Sequence, residues 1–224
     1  METLKQLLDE LPEDLARRAF CHSSWVERRI DSYERLAFLG DSVLSLTLST
    51  HLYPRFKHYG AGRLTKLRAQ AVSQDSCARV AEDLGVPERL RAAAPPGEGR
   101  SADILLESPR VLASLCESVI GAAYLAFGFE RVAPAVVRAF SGAVADALDH
   151  PVDFKSLLQE RLAHRGQVVA YRIDATEGPP HDRVFRAVAE VDGVEVGRGE
   201  GRTKKQAEQD AAMSALGPST LVGA

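Results

Sequence analysis

An all-α domain followed by a small α+β module, in the order α-β-β-β-α, is the fold class this sequence predicts. Three observations carry the prediction. The first 150 residues show helical spacing of apolar residues and almost no strand-like alternation. Strand-like spacing is confined to three short runs further on, Val168 to Ile173, Val184 to Val191 and Val194 to Gly199. Helical patterns flank those runs, at Phe154 to Arg165 and at Lys204 to Leu216.

Each element has a local reason. Asp31-Ser32-Tyr33-Glu34 has the spacing of a capping box, with Asp31 as cap and Glu34 reaching back. The helix it opens carries an apolar stripe of Leu36, Leu39, Val43 and Leu44. Ala93 to Arg100, with two prolines and two glycines, is a loop. Ser108-Pro109 predicts a helix start, with serine as N-cap and proline at the first helical position. Glu130 to Leu148 predicts one amphipathic helix rich in alanine and valine. A break falls near His150-Pro151. Beyond it, Glu177 to Asp182 is a turn-rich loop between the first two strands, and Asp192-Gly193 is the tight turn between the last two.

Composition narrows the function classes. The chain has 224 residues, 45% of them hydrophobic and 26% charged, which excludes disorder, a collagen repeat and a coiled-coil rod. Cys21, Cys77 and Cys116 form no CxxC pair, so neither a disulfide scaffold nor a zinc site is expected, and the sparse count suits a reducing cytoplasm. No signal peptide and no stretch of 18 apolar residues is read from the sequence, so no membrane is expected as a partner. The net charge of −3 gives no general affinity for nucleic acid, but a local basic patch is enough for that.

Two acids stand out because they interrupt apolar helices. Asp41 follows Gly40 in the stripe of the first helix, seven residues after Glu34 and on nearly the same side. Glu117 lies between Leu115-Cys116 and Val119-Ile120-Gly121. A carboxylate in a helical core needs a partner or a metal, and two such acids on two helices could hold a divalent cation through oxygen. The plainer alternative is that each faces water or pairs with an arginine such as Arg35, Arg63 or Arg68. Periodicity alone does not bring the two helices together.

The residues themselves go further. Tyr33-Glu34-Arg35-Leu36-Ala37-Phe38-Leu39-Gly40-Asp41-Ser42-Val43-Leu44 resembles the signature segment of the ribonuclease III family. Phe20 to Ser24 resembles that family's His-x-Ser segment, and Leu67-Arg68-Ala69 and Leu112 to Ala122 resemble its later blocks, in the right order. The resemblance implies a metal-dependent, usually magnesium-dependent, homodimeric endoribonuclease that cuts double-stranded RNA and processes rRNA and mRNA precursors. It makes Asp41 and Glu117 the catalytic acids and metal ligands, with Ser114 as a weak third ligand, and gives Glu34 a role in orienting neighbours or contacting RNA.

Two positions depart from the pattern. Ala37 and Ser114 stand where the family usually has acids. The expectation is weaker metal affinity, and a slower or manganese-preferring enzyme. The competing expectation is a dimeric RNA-binding protein in which the nuclease fold is only a scaffold. A plain helical interaction domain is a third, poorer reading of the N-terminal half.

Residues 153–217 resemble the double-stranded RNA-binding domain. Lysines 204 and 205 at a helix N-terminus make a sensible phosphate site. The resemblance implies that Gln159 and Glu160 on the first helix and His181 in the loop reach successive minor grooves, while Lys204 and Lys205 grip phosphates between them. The expected division is therefore 1–150, catalytic and dimerising; 151–217, RNA-binding; and 218–224, a tail. No small-molecule cofactor is expected.

Overall fold

The computed structural model describes residues 2–149, 153–179 and 183–217. The chain divides into two compact units, Met1–Ala145 and Asp146–Ala224. The first is all-helical and the second is an α-β-β-β-α module, as the sequence predicts.

The helices of the N-terminal half are α1 (Leu4–Asp9), α2 (Glu13–Ala19), α3 (Glu34–Arg55), α4 (Ala61–Ala71), α5 (Gln74–Asp83), α6 (Val86–Ala93), α7 (Gly99–Leu106), α8 (Pro109–Phe127), α9 (Phe129–Ala139) and α10 (Ser141–Asp149). Single 3-10 turns at Ser23–Trp25 and Arg29–Asp31 lead into α3. Helix α8 is the axis of the unit. It packs on α3, α5 and α2, and residues from Leu112 to Ala123 line the core. By length and mean hydropathy α8 could cross a membrane, although Arg110 and Glu117 interrupt its apolar run. Here most of its apolar surface is already covered by neighbouring helices, which makes it a core helix.

Local details differ from expectation in two places. The segment predicted as one helix after Glu130 is two, because the chain turns at Phe140, whose side chain is fully buried and whose neighbour Ser141 donates to the Arg138 carbonyl at 2.8 Å. The Asp31–Glu34 capping box does not form. Arg28 takes Asp31 at 2.8 Å and Arg29 takes Glu34, so two ion pairs outcompete the caps, and the Glu34 amide donates to Ser32 Oγ at 3.3 Å. Ser108 and Pro109 do begin α8, though the serine hydroxyl makes no capping hydrogen bond.

In the second unit, β1 (Val169–Glu177), β2 (Val184–Val191) and β3 (Val194–Gly201) form an antiparallel sheet in the order β1-β2-β3. Asp192 and Gly193 both have positive φ, as the tight hairpin turn requires. Helices α11 (Phe154–Ala163) and α12 (Lys204–Leu216) flank it. Gly197 and Gly199 turn the same way along β3 and let α12 come down onto its backbone: a Cβ on Gly199 would lie 2.1 Å from the Ala211 nitrogen. The α11 and α12 helices are tied by Lys155 Nζ to Glu208 at 2.5 Å and by Gln209 Nε2 to Asp153 at 3.1 Å.

The other face of the sheet is a lattice of charges. Arg172 pairs with Asp174 and Glu190, Arg186 with Glu177 and Glu200, and Arg198 with Glu195 and Asp174. Val188 sits in register between Arg172 and Arg198 and is only 1% exposed, so the arginine stems cover it.

Candidate active site

Helices α3 and α8 cross where each carries a glycine. A Cβ on Gly40 would fall 1.7 Å from the Glu117 carbonyl oxygen, and one on Gly121 would fall 2.2 Å from the Leu36 carbonyl oxygen. The two backbones therefore touch, and Asp41, next to Gly40, and Glu117, whose carbonyl meets Gly40 one turn before Gly121, become neighbours. Asp41 lies at the surface and Glu117 is half-buried, so neither is sunk in the core as its apolar sequence neighbours imply.

Burial, followed by the negative charge of Asp41, pushes the Glu117 carboxyl up to about 7. Among the described residues neither acid forms an ion pair. Of the three arginines that sequence reasoning held in reserve, Arg68 donates to Ser49 Oγ at 3.0 Å and Arg63 lies over the Tyr59 ring at 3.5 Å, while Arg35, among the described residues, pairs with neither acid. What remains is an uncompensated carboxylate pair, and its oxygen donors suit a hard divalent cation. Ser114 lies one turn before Glu117 on the same face, and Ala37 is buried at 7% exposure with nothing to offer a cation. Among the described residues no group of three or more acids, histidines or cysteines could hold a metal. Two carboxylates meet the minimum for magnesium, which keeps several waters.

A second layer fixes the approach to α3. The Tyr33 amide donates to the Cys21 carbonyl at 2.9 Å, and the His22 ring lies 5.6 Å from the Tyr33 ring and 6.0 Å from Trp25. His22 Nδ1 accepts from the Ser24 amide at 3.1 Å, so the His-x-Ser segment works as a turn lock. Ser118, next to Glu117 and fully buried, donates to the Ala19 carbonyl at 3.0 Å and ties α8 to the end of α2. Glu34 is held by Arg29 at 2.5 Å, which lowers its carboxyl, and does not join the acid pair. Sequence reasoning missed Arg29; its place five residues ahead of Glu34, across a turn, carried no periodic signal.

In the second unit, Gln159 and Glu160 are exposed on α11, and Lys204 and Lys205 are exposed in the first turn of α12. Thr203 caps that helix by accepting from the Gln206 amide at 3.1 Å. His181 and the tail lie outside the described residues.

Comparison with known proteins agrees with this geometry. Residues 12–142 match the Ribonuclease-III-like family and residues 154–217 the double-stranded RNA binding motif. The chain is 39% identical over 208 residues to Ribonuclease 3 of Oceanobacillus iheyensis, covering 90% of each chain. It is 40% identical over 210 residues to Ribonuclease 3 of Bacillus licheniformis, covering 91% of this chain and 83% of the relative. Among solved structures, the nuclease domain of ribonuclease III from Campylobacter jejuni superposes with a TM-score of 0.54 at 31% identity, over 63% of this chain and 96% of that one. A carboxylate pair set at a glycine-to-glycine helix crossing, followed by an RNA-binding motif and matched to such relatives along nine-tenths of its length, means that the chain belongs to the ribonuclease III family of endoribonucleases.

Proposed function

We propose that the chain hydrolyses phosphodiesters of double-stranded RNA at the Asp41–Glu117 pair, in the maturation of rRNA and mRNA precursors in a reducing cytoplasm. The observation that carries this reading is the pair itself: two carboxylates on different helices, close enough for Asp41 to raise Glu117, with no cation among the described side chains to neutralise them. Asp41 and Glu117, with Ser114 on the same face of α8 as Glu117, would hold a divalent cation, magnesium or manganese, which would supply an activated water and charge stabilisation at phosphorus. Asp41 and Glu117 would orient that cation from two helices. Tyr33, His22 and the Arg29–Glu34 pair hold the entry to α3 rigid, with Glu34 also near enough to the surface to meet RNA. The 151–217 module supplies affinity: Gln159, Glu160 and His181 to minor grooves, Lys204 and Lys205 to phosphates.

The 1–150 domain also dimerises in this reading. Phe38 is 79% exposed and lines a groove of about 600 Å³ together with Ile30, Leu36, Leu39 and Leu125 and the charged residues Arg18, Arg29, Glu34 and Arg35. Exposed aromatic and aliphatic groups around one groove mark an association surface. A second copy is the occupant we assign, because the Campylobacter nuclease-domain structure is described by a region involved in dimer formation. Phe38→Asp should give a monomer by sedimentation.

The test of the catalytic site is cleavage of a long RNA duplex in magnesium and in manganese. Asp41→Asn and Glu117→Gln should each abolish cutting while duplex binding stays nearly unchanged. Full activity in either variant sinks the site. One observation favours a second reading, an RNA-binding protein with little or no catalysis: Ala37 and Ser114 leave the pair without a third acid. Intact duplex from the unaltered protein in both metals, despite tight binding, selects it.

A further inference from the structure

Arg110 lies at the start of α8, four residues before Ser114 and seven before Glu117, so all three share one face of the helix. Burial, followed by the charge of Glu34, pushes the Tyr33 hydroxyl up to about 12, and Arg110 and Glu117 act on it more weakly and in opposite senses. Tyr33 is 5% exposed, and its amide donates to the Cys21 carbonyl at 2.9 Å. Arg110 itself is exposed. Among the described residues it donates no hydrogen bond and joins no ion pair, whereas Arg28, Arg29, Arg89, Arg91 and Arg131 of the same unit are each held by a carboxylate.

An arginine left unpaired at the rim of a two-carboxylate site has one ready use. We propose that Arg110 is a phosphate-binding residue of the active site, its guanidinium taking the non-bridging oxygens of a backbone phosphate beside the bond that is cut. This rests on the reading of Asp41 and Glu117 as the catalytic pair. Two carboxylates provide for one divalent cation, and a second cation would need more oxygen donors than Ala37 and Ser114 supply. A fixed guanidinium brings positive charge without any ligand, and its planar fork matches two phosphate oxygens. Its Cα stands roughly 10 Å along the helix from that of Glu117, from seven residues at the α-helical rise. Both side chains lean toward the helix N-terminus, so Arg110 meets a phosphate next along the strand and leaves the reacting one to the acid pair.

The test is binding of a duplex in the presence of a chelator, where nothing is cut, measured against salt for the full chain and for Arg110→Ala, Arg110→Gln and Arg110→Lys. Loss of one phosphate contact lowers the log–log salt slope by about 1, so between 50 and 200 mM salt the parent should lose about 3- to 4-fold more affinity than the alanine and glutamine variants. The lysine variant keeps the charge and should restore the parent slope. In magnesium, both neutral variants should also cut more slowly. An unchanged slope in both neutral variants overturns the proposal whatever happens to the rate, since a slower enzyme with the same slope means a structural role only. The acid pair is judged separately: cutting by Asp41→Asn would refute the catalytic reading and leave the Arg110 salt slope to stand or fall on its own.

Discussion

Gly40 on α3 and Gly121 on α8 face each other so closely that a Cβ on Gly121 would lie 3.1 Å from the Gly40 nitrogen and 2.2 Å from the Leu36 carbonyl oxygen. An exposed helical glycine is normally improved by alanine, by about 1 kcal/mol. Here the sign reverses. The obstructing atoms are backbone, which cannot rotate away, so Gly40→Ala and Gly121→Ala should each destabilise the domain by about 3 kcal/mol, at the upper end of overpacking effects. Denaturant unfolding at fixed pH measures it. Either variant unfolding with the parent's midpoint would mean that the helices cross further apart.

Metal-free protein should carry a pH signature of Glu117. Its folded-state value of about 7 lies above the ordinary glutamate value, so its contribution favours the folded state below the unfolded value of ~4.3 and is lost as pH rises through 7. Glu117→Gln removes that dependence. Thermal midpoints measured with chelator should be higher for the glutamine variant above pH 7, and the gap should close toward pH 4.5. A constant gap across the range would mean that Glu117 is not held up by its surroundings.

Returning acids to the two positions that lack them should strengthen the site. Ala37→Glu with Ser114→Asp should tighten magnesium binding by calorimetry and raise the cleavage rate. Ser114 is one turn from Glu117 and partly exposed, so the aspartate has room; Ala37 is 7% exposed, so the glutamate must turn toward the cation to be accommodated. A folded double variant with the parent's metal affinity would show that these positions do not face the cation.

Lys204→Ala with Lys205→Ala should weaken binding to all RNA duplexes about equally, because phosphate contacts carry no sequence information. The salt slope should fall by about 1 to 2 units. Both lysines are exposed in the first turn of α12, where the helix end already favours an anion. A slope equal to the parent's would reduce the pair to solvated surface.

The second unit was the more legible in the sequence. Asp192-Gly193 specified a hairpin by itself, and the runs around it kept their period, so β2 came out with the bounds expected, Val184–Val191. The all-helical class of the first unit was also plain. The meeting of Asp41 and Glu117 was not, since helical periodicity places a residue on a face and says nothing of what that face meets. The physical signal was present in Gly40 and Gly121, which only a backbone-to-backbone crossing explains. The Asp31 cap failed for a related reason: spacing shows what a carboxylate can reach in its own helix, and Arg28 and Arg29 offered charged partners instead. The break at Phe140 had a local signal in Ser141-Gly142, which the helical period of the surrounding residues masked, and the burial of Phe140 is a tertiary property that spacing does not show.

The charge lattice on the open face of the sheet makes the second unit electrically one-sided. That face carries Arg172, Arg186 and Arg198 against Asp174, Glu177, Glu190, Glu195 and Glu200, three positive groups to five negative, a balance of −2. The first turn of α12 presents Lys204 and Lys205, while Glu208 is committed to Lys155 and Asp210 accepts from the Glu200 amide at 2.9 Å. A polyanion approaching the wrong way round meets repulsion, and the unit experiences a torque that swings its helix end forward before any contact forms. The arginines of the sheet, each locked to a carboxylate, cannot serve as decoy phosphate sites. Their work is orientation: they keep an apolar residue such as Val188 covered while denying the RNA a second way to land.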